Sequence, residues 1–173
     1  MALAGFAIEC KPNSGGVKMV HAISASELTS FTLGANKAYE NVTLEAGSYF
    51  AKYQFKQDEA EIRENTVTEN GSTQVTHELE MLLEGMDEKS RTAVQELADT
   101  AICGIVLIET DSNGRHWVHG YSEEMGKERP IRNLNSEGTS GRALSDQSGF
   151  VVTLTSVDTH VKREFIGTIP VAP

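Results

Sequence analysis

Apolar and polar residues alternate with a period of two along much of the chain, and one stretch departs from that pattern for long enough to matter. Val75, Leu79, Met81 and Leu83 alternate with Gln74, Thr76, Glu78 and Glu80, which marks a half-buried strand. Over Asp87–Ala101 the period changes. Ala93, Val94, Leu97, Ala98 and Ala101 recur at helical spacing and make one apolar stripe, and Asp87 is placed to accept hydrogen bonds from the first-turn amides. Ile102–Ile108 is then apolar on both faces, as a central strand covered by that helix would be. Val94, Leu97, Ile105, Leu107 and Trp117 are the core residues this reading predicts.

Two hairpins carry testable registers. Asn70-Gly71 is a strong type I′ turn signal, because both residues tolerate positive φ. A two-residue loop there pairs Ile62 with Leu79, Ala60 with Met81 and Thr66 with Val75 on one face. The other face receives Arg63–Glu78, Asn65–Thr76, Val67–Gln74 and Glu61–Glu80, so one face is mainly apolar and the other polar and acidic. A two-stranded ribbon is marginal alone, so the hairpin 48–83 is expected to project and to pair elsewhere. In the second hairpin a four-residue loop, Asp111–Gly114, sets Ile108 opposite Trp117, Leu107 opposite Val118 and Glu109 opposite His116.

The remaining segments give weaker signals. Leu3–Cys10, Val17–Ile23, Val42–Leu44 and Ser48–Lys56 read as strands, with Tyr49, Ala51, Tyr53 and Phe55 on one face of the last. Ser24–Ala38 reads mostly as loop, with Phe31–Leu33 its one strand candidate. Ser122–Gly141 reads as a long excursion with at most one short strand near Ile131. Arg142–Leu144 and Phe150–Val157 read as a hairpin, and Val161–Ile169 as a closing strand. The fold class is therefore mainly β with one helix: an antiparallel sandwich or barrel in a single domain over residues 1–173.

Composition narrows the function classes. The chain has 173 residues, a hydrophobic fraction of 39% and a net charge of −10, with no basic cluster of the kind that duplex binding requires. The N-terminus lacks the pattern of a signal peptide and no run is long enough to span a membrane, so a soluble protein with no membrane anchor is expected. The only cysteines, Cys10 and Cys103, are expected to be reduced core residues, and the sequons at Asn41 and Asn70 to be unused.

No catalytic constellation emerges. Glu109–Gly114 resembles the start of a calcium loop, but the twelfth position is Gly120 rather than a bidentate Glu, so it reads as a hairpin turn. His116 and His119 point to opposite faces of a strand, and His21, His77 and His160 are isolated. Gly138–Gly141 is followed by strands rather than a long helix and reads as a loop, and no GxSxG elbow or GKS/GKT loop is present. Glu78 and Glu80 read as a solvated acidic face. No enzyme activity, metal or cofactor is expected.

Taken together, the Val75–Leu83 strand, the Asp87–Ala101 helix, the Ile105–Gly120 hairpin and the Gly141–Thr155 segment resemble structural tail proteins of bacteriophages. The similarity is to tail tube proteins and their ring-forming relatives in phages of Bacteroides-type hosts, and it covers about the last hundred residues. The resemblance implies a curved antiparallel fold with a flanking helix, shared with type VI secretion tubes. It implies homohexameric rings that stack into a tube, with hairpins of neighbouring subunits joined edge to edge. The tube would pass DNA during genome ejection and hold the tape-measure protein without binding either specifically, alongside other tail proteins of the virion after assembly in the host cytoplasm. On this reading Glu61, Arg63, Asn65, Gln74, Thr76, Glu78 and Glu80 line the lumen and Asn70-Gly71 forms the tip. The alternatives are another virion component, such as a head-to-tail connector ring or a capsid decoration protein, and a β-barrel module for a small ligand or glycan with Trp117, Tyr121 and Tyr53 as its platform.

Overall fold

The computed structural model describes residues 5–6, 13–56 and 58–173, so the expected strand at Leu3–Cys10 and the environment of Cys10 lie outside the described residues. The elements run β1 (Val17–Ser24), β2 (Leu28–Leu33), β3 (Tyr39–Leu44), β4 (Ala51–Gln54), β5 (Ala60–Glu69), β6 (Ser72–Glu84), α1 (Glu88–Cys103), β7 (Ile105–Asp111), β8 (His116–His119), β9 (Asn133–Thr139), β10 (Gly149–Asp158) and β11 (Arg163–Phe165). They form two sheets, one of seven strands in the order β2-β3-β11-β8-β7-β1-β4 and one of four in the order β5-β6-β10-β9. The fold is mainly β, a sandwich with one helix. It is not a closed barrel, and it is not wholly antiparallel, because β11 runs parallel to β3 at Phe165–Tyr39.

Two cores hold it together. One lies between the sheets, where Val20, Ala22 and Leu107 meet Leu79, Met81, Val152 and Leu154, with Leu97 and Ala101 of α1 closing one side. The other, around Ile23, Leu28, Phe31, Tyr39, Ile108, Val118 and Phe165, draws all its strand residues from the seven-stranded sheet. One sheet can bury such a cluster only by curling over it.

The Asn-Gly hairpin forms in the expected register, Ala60–Met81 through Glu69–Ser72 without a break, and Asn70 and Gly71 take φ of 52° and 77°. The ribbon is not free-standing, however. β10 pairs with β6 from Val75 to Glu84, so β6 is an interior strand and only its first three residues extend past β10. The alternation of Phe150–Thr155 matches that of β6. Its other partner is β9 rather than Arg142–Leu144, and it lies inside the supposed excursion.

The second hairpin is shifted by one residue from expectation: Glu109 pairs with Trp117, Ile108 with Val118 and Leu107 with His119. Gly114 at φ 82° makes a three-residue loop with a bulge, and the Asp111 carboxylate accepts the amides of Asn113 and Arg115 at 2.8 and 2.9 Å. A bulge also hid β2. The register slips between Leu28 and Ser30, which puts buried Leu28 and Phe31 three residues apart and erases the alternation. β11 is shorter than the expected Val161–Ile169.

The helix has the expected cap, with Asp87 accepting the Ser90 amide at 2.9 Å, but it runs two residues further, to Cys103. Ile102 and Cys103 are therefore exposed at its C-terminal end instead of sitting in a central strand or the core. Of the expected core residues, Leu97, Ile105 and Leu107 are buried and Val94 packs half-buried against them. Trp117 is only half-buried, and its indole N–H donates to Asp111 Oδ2 at 3.2 Å.

Two glycines should respond differently to a methyl group. Gly71→Ala meets open space and strains only φ, at a cost of about 1 kcal/mol. Gly120→Ala combines a φ of 78° with a Cβ 2.7 Å from the Ile105 carbonyl, where β7 bridges to Ile131, and should cost roughly 3 kcal/mol. Urea denaturation of both variants checks the ranking.

Candidate functional site

The four-stranded sheet has two unlike faces. Val75, His77, Leu79, Met81, Val152 and Leu154 point inward and are buried. Directly paired residues share a face, so the registers assemble the outward face in cross-strand rows: Glu61–Glu80–Thr153–Asn135, Arg63–Glu78–Thr155–Asn133, and Leu82–Val151–Glu137. Asn65, Thr76 and Gln74 continue it toward the tip. All seven expected lumen residues thus lie on one exposed or half-exposed face. Glu61, Glu78, Glu80 and Glu137 stand against one guanidinium, Arg63, a net of −3 over these rows. Arg63 forks onto Glu61 at 2.8 and 3.1 Å and reaches Glu78 at 3.1 Å. These pairs are solvent-exposed and screened, and they orient side chains more than they stabilise the fold.

Sequence reasoning missed half of this face. Thr153 and Thr155 and the whole of β9 contribute to it, and the only signal for β9 is the weak alternation in Asn-Leu-Asn-Ser-Glu. Among the described residues, both outer strands, β5 and β9, end the sheet with one side unpaired.

Beneath the inward face lies a polar cluster that spans the two sheets. Glu109, fully buried on β7, accepts a hydrogen bond from Lys162 Nζ at 2.7 Å. The Lys162 backbone amide donates to Glu64 of β5 at 3.0 Å, so this residue clamps the segment before β11 to both sheets. His77 of β6 and His119 of β8 meet edge to face, with ring centroids 5.5 Å apart. His119 Nε2 lies 3.4 Å from Glu109 and His77 Nε2 3.2 Å from Glu64, close approaches without hydrogen-bond alignment. Burial pushes His77 below the ordinary 6.5, and His119 adds to the push while Glu64 and Asp158 oppose it. Burial, with Lys52 and His116, lowers His21 as well. Burial alone would raise Glu109, but His119 and Lys162 more than offset it and hold the carboxyl below its ordinary 4.5. A charge at the end of the apolar run Ile105-Val-Leu-Ile was the sequence signal for such a pair.

Polar side chains near this cluster are taken up by structural partners. The Asp111 carboxylate is engaged by its own turn and by Trp117. His116 bonds Thr110 at 2.8 Å on the opposite face from His119. Among the described residues no group of three or more His, Cys, Asp or Glu side chains is arranged to hold a metal, and no helix is long and apolar enough to cross a membrane. The supposed ligand platform does not assemble: Trp117 lies under Lys162, Tyr121 packs on Phe31 and Tyr39, and Tyr53 lines a groove of about 260 Å³ beside α1.

Lys162→Met leaves Glu109 buried without its cation and should cost about 3–5 kcal/mol, most of which returns when Glu109 is also made Leu. Both lowered histidines bind protons more readily in the unfolded chain. Their contribution to stability is therefore complete above pH 6.5 and is lost as the pH falls toward their folded values. The Glu109 contribution is complete above 4.5 and lost below it. Urea denaturation of the wild type and Lys162→Met at pH 8, 6.5, 5.5 and 4 should show stability falling in two stages for the wild type.

No protein-family model matches the chain, and no curated protein is significantly similar to it.

Proposed function

We propose that the chain is a non-enzymatic structural subunit that closes into rings by joining the β5 edge of one copy to the β9 edge of the next. The observation that carries this reading is the four-stranded sheet itself, with one face buried, one face polar and acidic, and two outer strands that, among the described residues, are unpaired on their far sides. Both edges are long and regular: β5 and β9 keep unbroken register with their inner neighbours and contain no proline or bulge. Such edges invite pairing with another chain. Joining one edge to a different edge is a heterologous contact, and it closes into a ring when the rotation per copy permits.

The sandwich body covers the inward face, so a ring would turn the outward face toward its centre. Glu61, Glu78, Glu80 and Glu137 would then give the channel wall an excess of negative charge. A passing polyanion would be repelled rather than held. This is the wall that the resemblance to phage tail tube proteins implies, and we take stacked hexameric rings of a virion tail, a conduit for DNA ejection, as the assembly.

In a two-residue hairpin the flanking pair Glu69–Ser72 exchanges hydrogen bonds, so the amides of Ile62, Glu64, Thr66 and Thr68 point away from β6. Thr66→Pro removes one outward donor without touching the internal ladder. The variant should fold, with a melting temperature close to that of the wild type, and fail to form rings by negative-stain electron microscopy. Rings from Thr66→Pro as abundant as those of the wild type would count against β5 as the joining edge.

A further inference from the structure

The two ends of the four-stranded sheet are unlike in a way the ring contact does not use. At the end where Gly149 pairs with Glu84, β9 and β10 are joined by the loop 140–148, and Leu144 on that loop is exposed at 109% of its reference area. The loop is firmly built. Asp146 Oδ2 accepts the amides of Arg142 and Ala143 at 2.8 Å each, and the Asp146 amide donates to the Ala143 carbonyl at 3.1 Å. The loop base is tied to the strand end by the Gly85 amide, which donates to Ser148 O at 2.9 Å. An aliphatic side chain is thus held out in water on an ordered support.

At the other end, near the Asn-Gly tip, a cleft of about 170 Å³ is lined by Gln74, Met125, Arg129, Val157 and Thr159. Met125 and Val157 give it an apolar part of its lining. Asp158 lines it as well, and Glu124 stands beside it within 3.4 Å of Thr159. These two carboxylates against Arg129 leave an excess of one negative charge. The loop is neutral overall, but its two charges are separated: the Asp146 carboxylate is turned to the amides of Arg142 and Ala143, and the Arg142 side chain is exposed beside Leu144, free to meet these carboxylates.

We propose that Leu144 and Arg142 of one copy seat in the tip-end cleft of a second copy stacked on it. This rests on the ring reading and adds the axial contact to it. β10 separates knob from socket by ten residues, roughly 30 Å at strand rise. Because the two halves of the contact lie at opposite ends of one sheet, it repeats without closing, gives a filament rather than a dimer, and sets a single polarity for the stack.

The test compares wild-type full-length protein with Leu144→Asp by electron microscopy and thermal unfolding. The expected result is an unchanged melting temperature, rings of wild-type diameter and loss of stacked tubes. Tubes from Leu144→Asp as long as those of the wild type would overturn the docking while leaving the rings standing. A folded Leu144→Asp that forms no rings would also overturn it, since the loop would then act in ring closure. Absence of rings from the wild type would remove the ring reading and this inference with it. A second measurement mixes Leu144→Cys with Val157→Cys, each in a Cys10→Ser, Cys103→Ser background. Disulfide-linked dimers should form in the oxidised mixture and in neither variant alone, and their absence from the mixture would overturn the contact.

Discussion

A β-sheet that is covered on one face and unpaired along both outer strands has backbone donors and acceptors left over, and where those groups bond decides what the molecule becomes. Among the described residues of this chain the leftover groups lie on β5 and β9, ten and seven residues long. Water can satisfy them in an isolated copy, but a long regular edge remains a template for another strand. Neither edge carries a proline or a bulge, and the blunting features present on β5 are its charges, Glu61, Arg63, Glu64 and Glu69. The inward-turned carboxylate on β5, Glu64, is engaged by Lys162 and His77 and serves the interior.

That engagement links the edge to the core. Lys162 bonds Glu64 through its backbone and Glu109 through its ammonium, so one residue fixes the position of β5 relative to the seven-stranded sheet. A buried ion pair of this kind adds little net stability, because desolvation offsets much of the attraction. Its value is positional: the apolar interface between the sheets would tolerate sliding, whereas a paired charge at 0% exposure tolerates little. The edge offered to a neighbour is held in place from behind, and the acidic outward face is free of any structural duty. This division of labour between the faces is what the functional proposal draws on.

Much of the site could be read from the sequence where local chemistry dictated geometry. Asn70-Gly71 required one turn type, the turn set the register, and the register sorted Glu61, Arg63, Glu78 and Glu80 onto one face. The helix followed from its stripe and its Asp87 cap. What escaped had a physical reason in each case. A bulge put Leu28 and Phe31 out of phase, and a three-residue loop ending at Gly114 shifted the second hairpin by one residue. β9 was hidden because its exposed face is Asn, Asn and Glu, residues that signal loop, and because its strand character comes from pairing with β10 rather than from its own composition. That omission mattered most, since it turned an interior strand into an apparent free ribbon and concealed the second edge.

Hydrogen exchange measured as a function of protein concentration tests the central claim most directly, because it reads the edge amides themselves. The account predicts that segments 60–69 and 133–139 exchange fast in dilute protein and become protected together as concentration rises, while the already paired β6 and β10 change little. Exchange in both segments that stays independent of concentration, up to the highest at which the protein remains dispersed, would contradict it.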